Sequence, residues 1–523
     1  VADYADCSVG CAGPYLRGMA VWRSILLLSL GSLLGACGPI SASFPDPADW
    51  GGLSGPGGPS QVFDSGSLWQ TCAFLDGGAE DLDRHGSVTM YDGYLLMPWT
   101  PEEGGGGISA FAFSDPCNPE KVGEGTDPGI RETHGISLVR RDERVYAAFA
   151  YHGGTAGDSV VGGVQIWDVT DLRAPARVGQ VLLPGYDYPD AVSRVTIATA
   201  WLGELLYVAA GDNGLYIVDT ADPSSPTLVN QYEFESTLRV GRVHVLGNLA
   251  MISSLEGART LLMDLSVAAE PSLLPGSEVA VSDSAGVERD YYFAEWVGNT
   301  ALFARKESGG GFIAYRFAAD ARLAFAGEAY NSGGFGGHVR RQGDRVVVGD
   351  SDYAGVYDIT NLAAPVEIGR AELPGDLDTA TPIGNVLVLS VDKDAVQDQA
   401  SAVVPFLGPL DRQGPRVELT SPSDGAILQL PRSSIGVAFD EEVEFKSVFP
   451  GSFRVFSEEG RAVTGTFSLQ GALVSFSPAE PLAEDTTYQV SIPAGGVVDL
   501  SGNPTTEDYR FTFSTGEEVI GAW

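Results

Sequence analysis

The sequence is short of positive charge: Lys and Arg number 31 against 69 Asp and Glu, a formal net charge of -38. Such a field repels phosphate backbones and anionic head groups, which excludes nucleic-acid binding. The acid excess reads as a device that keeps an exported protein soluble, with calcium binding by some acidic loops left open beside it. Cysteine is also scarce, with 5 in 523 residues, and no pair stands in C-x-x-C spacing, which argues against a zinc or redox pair. Gly-x-Ser-x-Gly, Gly-Lys-Ser/Thr and His-Glu-x-x-His are all missing, so the common local catalytic signatures are absent and no catalytic residue is assigned. An enzyme that assembles its site from one residue per repeat would escape this test.

What the chain has instead is turn-forming residues. It holds 67 glycines and 31 prolines with only 19% charged residues, a composition that suits short strands and many turns. At 523 residues and 44% hydrophobic content it is globular, with material for two or three domains. The expected fold class is all-β.

A repeated unit organises the middle of the chain. Gly214-Leu215-Tyr216-Ile217-Val218-Asp219 is followed by Asp222-Pro223 and Pro226. Gly163-Val164-Gln165-Ile166-Trp167-Asp168 leads in the same way to Asp171 and Pro175, and Gly355 with Tyr357-Asp358 leads to Asn361 and Pro365. A unit of about 40 to 50 residues with this strand content is the length of one four-stranded propeller blade. The recurring aspartates Asp168, Asp219 and Asp358 read as turn caps at the end of a third strand rather than as ligands. Gly214 supplies the positive φ of a hairpin.

The array resembles the LVIVD-repeat family of bacterial β-propellers, most closely in its second, third and sixth units. Met263 and Arg316 depart from the pattern in the fourth and fifth. The resemblance implies a seven-bladed β-propeller, with a six- or eight-bladed ring as the alternative. The segment 67–74 reads as a strand that completes the last blade and closes the ring. That closure brings Cys72 towards Cys117, and in an oxidising exported compartment these two cysteines are assigned as a disulfide, two free thiols being the alternative.

Near the start, Arg23 precedes an apolar run over residues 25–34, too short for a mature membrane-spanning helix and ending in Leu34-Gly35-Ala36-Cys37. This resembles the bacterial lipobox. The resemblance implies that Cys37 is lipidated and becomes the mature N-terminus, with a chance cysteine after an ordinary signal peptide as the alternative. Gly38 after it favours the outer membrane by the same likeness. Two acyl chains suffice for stable anchoring.

From Pro415 the composition changes. Ser421-Pro422, Val437-Ala438-Phe439, Glu442-Val443, Asp499-Leu500-Ser501-Gly502-Asn503 and Phe511-Thr512-Phe513 fall in order at β-sandwich spacing. This order resembles the bacterial Ig-like domain of surface-layer and other exported proteins. The expected organisation is an upstream extension over 1–18, a lipoprotein signal peptide over 19–36, a flexible tether over 37–60, the propeller over 61–412, an Ig-like β-sandwich over 413–516 and a tail over 517–523.

Few residues offer chemistry. His85, His134, His244 and His338 lie at or near expected inner strands, where they would line the central channel, a metal cluster being the less favoured reading. No metal ligand and no cofactor is assigned. Asp392, Asp394 and Asp398, and Asp350 with Asp352, lack the glycine and terminal glutamate of a calcium loop and read as solvated turns. The functional expectation is a lipid-anchored envelope protein, on the periplasmic or surface face, that binds or scaffolds a protein or glycan envelope component. A propeller-type hydrolase or lyase acting on an extracellular polymer is the alternative; oligomeric state is left open.

Overall fold

The computed structural model describes residues 43–75, 87–100, 105–132, 135–153, 161–187, 194–234, 238–306, 309–318, 322–391 and 401–516. Cys37, His85, His134, Asp392, Asp394 and Asp398 lie outside them. Among the described residues the chain is all-β, with propeller-like sheets followed by an Ig-like sandwich.

The third sheet shows the pattern most plainly. Ala198–Leu202, Leu205–Ala209, Leu215–Asp219 and Thr227–Tyr232 pair antiparallel in chain order. Leu215 to Val218 are buried on both faces of the pleat because a sheet packs against each side, whereas the fourth strand is exposed or half-buried. The first, second, fourth and fifth sheets repeat this order, beginning at Thr89–Tyr91, Ser137–Arg141, Val240–Leu246 and Tyr291–Val297. The next strands form one six-stranded sheet about a long strand, Val366–Ile383, whose start pairs with Arg345–Asp358 and whose end pairs with Val386–Val391; its two halves are termed the sixth and seventh sheets below.

The seventh sheet takes its last strand from the start of the array. Ala73 pairs with Val403 and Phe74 with Ala402. The strand is shorter than the expected 67–74, because Trp69 adopts a φ of 65°. Backbone bonds from Trp69 N to Pro405 O and from Cys72 N to Val403 O extend the pairing. Cys72 and Cys117 are bridged with Cα atoms 5.1 Å apart, tying this segment to the outer turn of the first sheet.

Apolar clusters lie between neighbours. Leu96 and Ile108 of the first sheet meet Ala147 and Phe149 of the second, and the series continues sheet by sheet to Val347 and Leu387. Met90, Leu95 and Met97 of the first sheet then meet Ile383, Val386 and Val388 of the seventh. The recurring aspartates are turn formers: Oδ1 of Asp168, Asp219, Asp264 and Asp358 each accepts the N–H two residues on, at 2.7–3.0 Å.

The Ig-like part is a sandwich. Val417–Ser421, Ile435–Phe439, Leu473–Pro478 and Gly465–Gln470 form one sheet; Ala426–Gln429, Tyr509–Thr515, Thr487–Ile492 and Arg454–Ser457 form the other. Phe453, Phe467, Phe476, Val490 and Phe511 fill the space between them. Its edge is not free. Phe467, Ser468 and Leu469 pair antiparallel with Arg140, Val139 and Leu138, so the sandwich sheet runs on into the second sheet of the array.

One expectation is corrected here. The segment over 37–60 reads as a loose tether, yet from Phe44 onward it is docked. Phe44 packs on Phe456, Arg454 donates to the Pro45 carbonyl, and the N–H groups of Gly55 and Gly57 bond Asp92 O and Gly93 O. Gly- and Pro-rich composition signals absence of regular structure, and here extended backbone finds partners in turns already exposed.

Candidate functional site

Antiparallel sheets wound in chain order have two unlike ends. One carries the turns between first and second strands, among them Asp92-Gly93, Gly203-Glu204, Gly247-Asn248, Gly298-Asn299 and Gly384-Asn385. In the first, Asp92 and Gly93 have φ of 52° and 77°, the double positive value of a tight two-residue hairpin.

The Ig-like domain sits on this end. Glu444 accepts from Asp92 N at 2.9 Å, and Arg140 donates to the Phe445 carbonyl at 2.9 Å. Ser468 Oγ donates to Trp201 O at 3.0 Å, and Gly247 N donates to Ser475 Oγ at 2.9 Å. Asn299 N donates to Glu418, which also takes a two-pronged bond from Arg341 at 2.9 Å in each arm. Burial alone would raise the Glu418 carboxyl; the Arg341 bonds and charge hold it below the usual range. At Gly436 a Cβ would stand 2.5 Å from Gly247 N, so only glycine allows the approach.

Beneath the domain lies a buried charged cluster. Arg242 and His244 come from Val240–Leu246, Phe293 and Glu295 from Tyr291–Val297, and His338 and Arg340 from Gly336–Gln342, each pair two residues apart and so on one strand face. Arg340 bonds Glu295 and lies 3.8 Å from Glu442 of the Ig-like domain. His244 Nε2 is 3.8 Å from Glu295, and Arg242 stacks over Phe293 at 4.4 Å.

Burial would push Glu295 up, but Arg340 and His244 bring it below the ordinary value. Burial raises Glu442 to about 7 against the pull of Arg340, with Glu295 adding to the rise. Desolvation lowers His244, and lowers His338 far more with help from Arg340 and Arg242. Both imidazoles are therefore neutral at pH 7. His338 Nδ1 accepts from Ala380 N at 3.3 Å, which leaves Nε2 to donate to Ser87 Oγ at 3.4 Å.

The described histidines do not form a metal cluster, for among the described residues no group of three metal-ligating side chains includes one. A Glu442 carboxyl raised to about 7 beside a Glu295 held below the ordinary value has the electronics of an acid and base pair. Space decides against it. The cavity bounded by Ser87, Thr89, Arg340, Glu442, Leu469 and Gly471 measures about 20 Å³, room for one water. Gln470, at the tip of the hairpin from Gly465–Gln470 to Leu473–Pro478, donates to Thr199 O and Val243 O and so joins this hairpin to first strands of the third and fourth sheets.

The opposite end carries the turns between second and third strands and the links between sheets. There Asp212 pairs with Arg239 at 3.2 Å, Arg239 with Glu256 at 3.5 Å, and Glu256 with Lys306. Lys306 lies 4.6 Å from the Tyr292 ring and 5.5 Å from that of Phe335. Arg305 stacks on Tyr330 at 4.5 Å, and Phe335 and Tyr330 are exposed by 41% and 54%. This belt crosses the third to sixth sheets. Sequence reasoning missed it because its members are single residues in unlike loops; the scarcity of cations was the available signal.

Residues 411–515 match the bacterial Ig-like domain and residues 200–233 the LVIVD repeat. No curated protein matches the chain. Among solved structures, the periplasmic gluconolactonase of Pseudomonas aeruginosa is 11% identical with a TM-score of 0.45, covering 56% of this chain and 85% of its own. A protein from Lactobacillus plantarum is 14% identical, with the same coverage and TM-score. Among the described residues no helix is long and apolar enough to cross a membrane. The chain thus carries an LVIVD repeat in the third sheet of its array and a bacterial Ig-like domain over its last hundred residues.

Proposed function

We propose that this is a lipid-anchored binding protein of the bacterial envelope, built as a seven-bladed propeller with one face capped by its Ig-like domain and the other offered to a protein or glycan. The unlikeness of the two ends carries this reading. One end is occupied by the chain itself. The other presents paired charges beside exposed aromatic rings, the mixture that stacks on sugars and seats protein side chains. The Ig-like family suggests an extracellular or cell-surface address. The lipobox-like Leu34-Gly35-Ala36-Cys37 supports attachment through Cys37. The apolar clusters running from the first sheet round to the seventh and back support a closed ring. A hydrolase or lyase site in the charged cluster has no specific observation in its favour, given the size of the cavity.

Binding of the purified chain to envelope glycans and to envelope proteins, each immobilised separately, tests the reading. Phe335→Ala and Glu256→Ala are expected to reduce capture at least tenfold in one of the two arms. Unchanged capture by both variants would sink the assignment of the open face. Cys37→Ser should move the protein from the membrane to the soluble fraction.

A further inference from the structure

Where the sixth sheet, the connector over 406–416 and the Ig-like domain meet, three carboxylates crowd together. Asp411 lies in the connector, Glu441 follows the strand Ile435–Phe439, and Asp499 opens the turn to Asn503. One oxygen from each lies within 4.8 Å of the others, and Glu441 and Asp499 are buried. Carboxylates at that spacing repel one another, strongly so when water is withdrawn.

Two of the three have local partners. Asp499 accepts from the N–H groups of Ser501 and Asn503, and Asp411 from Gln413 N and from Gln342 Nε2 at 3.2 Å. Glu441 is different. It is 4% exposed, and no hydrogen bond or ion pair is formed by its carboxylate among the described residues. Arg416, whose charge acts on it, is committed to Asp440 at 2.7 Å.

The Gln342 amide adds a second, independent pointer. Its Nε2 holds Asp411, while its Oε1 is buried without a partner. Gln342 and Glu441 both line a cavity of about 10 Å³, walled also by Arg341, Pro382, Glu442 and Leu500. That is about the space of one small sphere. The Arg341 guanidinium does not fill the need, because both its arms are spent on Glu418.

We propose that Asp411, Glu441 and Asp499, with the Gln342 amide oxygen, bind one hard divalent cation, calcium by the all-oxygen character of the set, and that this ion fastens the Ig-like domain to the sheet array. Calcium takes six to eight oxygens, a number that the four residues approach when the carboxylates bind through both oxygens, as Asp and Glu do at calcium. Burial raises the carboxyls of the metal-free cluster, Asp499 to about 7 and Glu441 well above the ordinary range, with Asp499 and Asp411 adding to the rise at Glu441; a cation removes that opposition. The site uses none of the residues of the open face, so it stands whatever binds there.

Isothermal titration of the chelator-treated full chain with Ca2+ tests it, together with thermal unfolding at millimolar Ca2+. One high-occupancy Ca2+ abolished or weakened at least tenfold by Glu441→Gln, with loss of the calcium-induced rise in Tm, is the expected result. Should Glu441→Gln fail to fold, Asp411→Asn, at the least buried ligand, reads the same loss. A folded parent chain that binds neither Ca2+, Mg2+ nor Mn2+, or calcium binding unchanged in both variants, overturns the proposal. So does a metal-indifferent chain whose Tm rises on acidification alone, since protons would then hold the cluster.

Discussion

The two ends of the sheet array are built from the same repeat and used in opposite ways. At one end the turns are short and nearly uniform, and the Ig-like domain reaches them with Glu444, Ser475 and Glu418. At the other the loops differ in length and sequence, and their side chains meet one another in a belt from Asp212 to Phe335. Uniformity suits an end recognised by one internal partner through backbone groups. Diversity is what an end exposed to an outside ligand can accommodate.

The contrast can be broken from the capped side first. Glu418→Ala leaves Arg341 buried without its two-pronged partner, and a loss of about 3–5 kcal/mol is expected, read as a fall in the chemical-denaturation midpoint. Arg341→Met in the same background should recover part of it, because the stranded charge is gone.

Asp350 tests the array away from the cap. Desolvation raises its carboxyl to about 6, against Tyr353 and the Gly311 N–H, which lower it. A raised carboxyl favours the protonated form when folded, so its contribution is complete below the unfolded value and is lost as pH climbs through the folded one. About 3 kcal/mol should disappear between pH ~4 and ~6 and then level off. Asp350→Asn should flatten that part of the difference curve and unfold at higher denaturant than the parent at pH 7.5.

Gly436→Ala forces a methyl against Gly247 N and should cost about 1–3 kcal/mol, visible as faster proteolysis between the Ig-like domain and the array. The smallest effect belongs to the open end. Phe335→Ala and Glu256→Ala should change stability by less than about 0.5 kcal/mol, as exposed positions do, while binding is lost. Stability losses there as large as those at the cap would erase the distinction between the ends.

Strand periodicity and turn chemistry made the array legible in sequence. The Leu215 to Asp219 motif is a third strand and its aspartate a turn former, since both depend on neighbours in the chain. Departures at Met263 and Arg316 left the pairing intact, because Met263 still supplies buried apolar bulk and Arg316 lies exposed near the end of its strand. The cap was not legible. At Ser468 and Leu469 nothing local distinguishes an edge facing water from one facing Val139 and Leu138. For the histidines, sequence placed His244 and His338 on first strands, but only the fold supplies Arg340 and Glu442, from distant segments, to set their environment. The acidic run Asp440-Glu441-Glu442 at the end of an apolar strand was visible and went unused.

The pairing of Ala73–Phe74 with Ala402–Pro405 has a consequence for synthesis. The strand that finishes the array emerges first and has no partner until nearly all the rest has been made. The domain that covers the turns emerges only after all of them. A chain arrested anywhere between would display unpaired edges and bare turns, so export and maturation must deliver the whole length before any of it is secure.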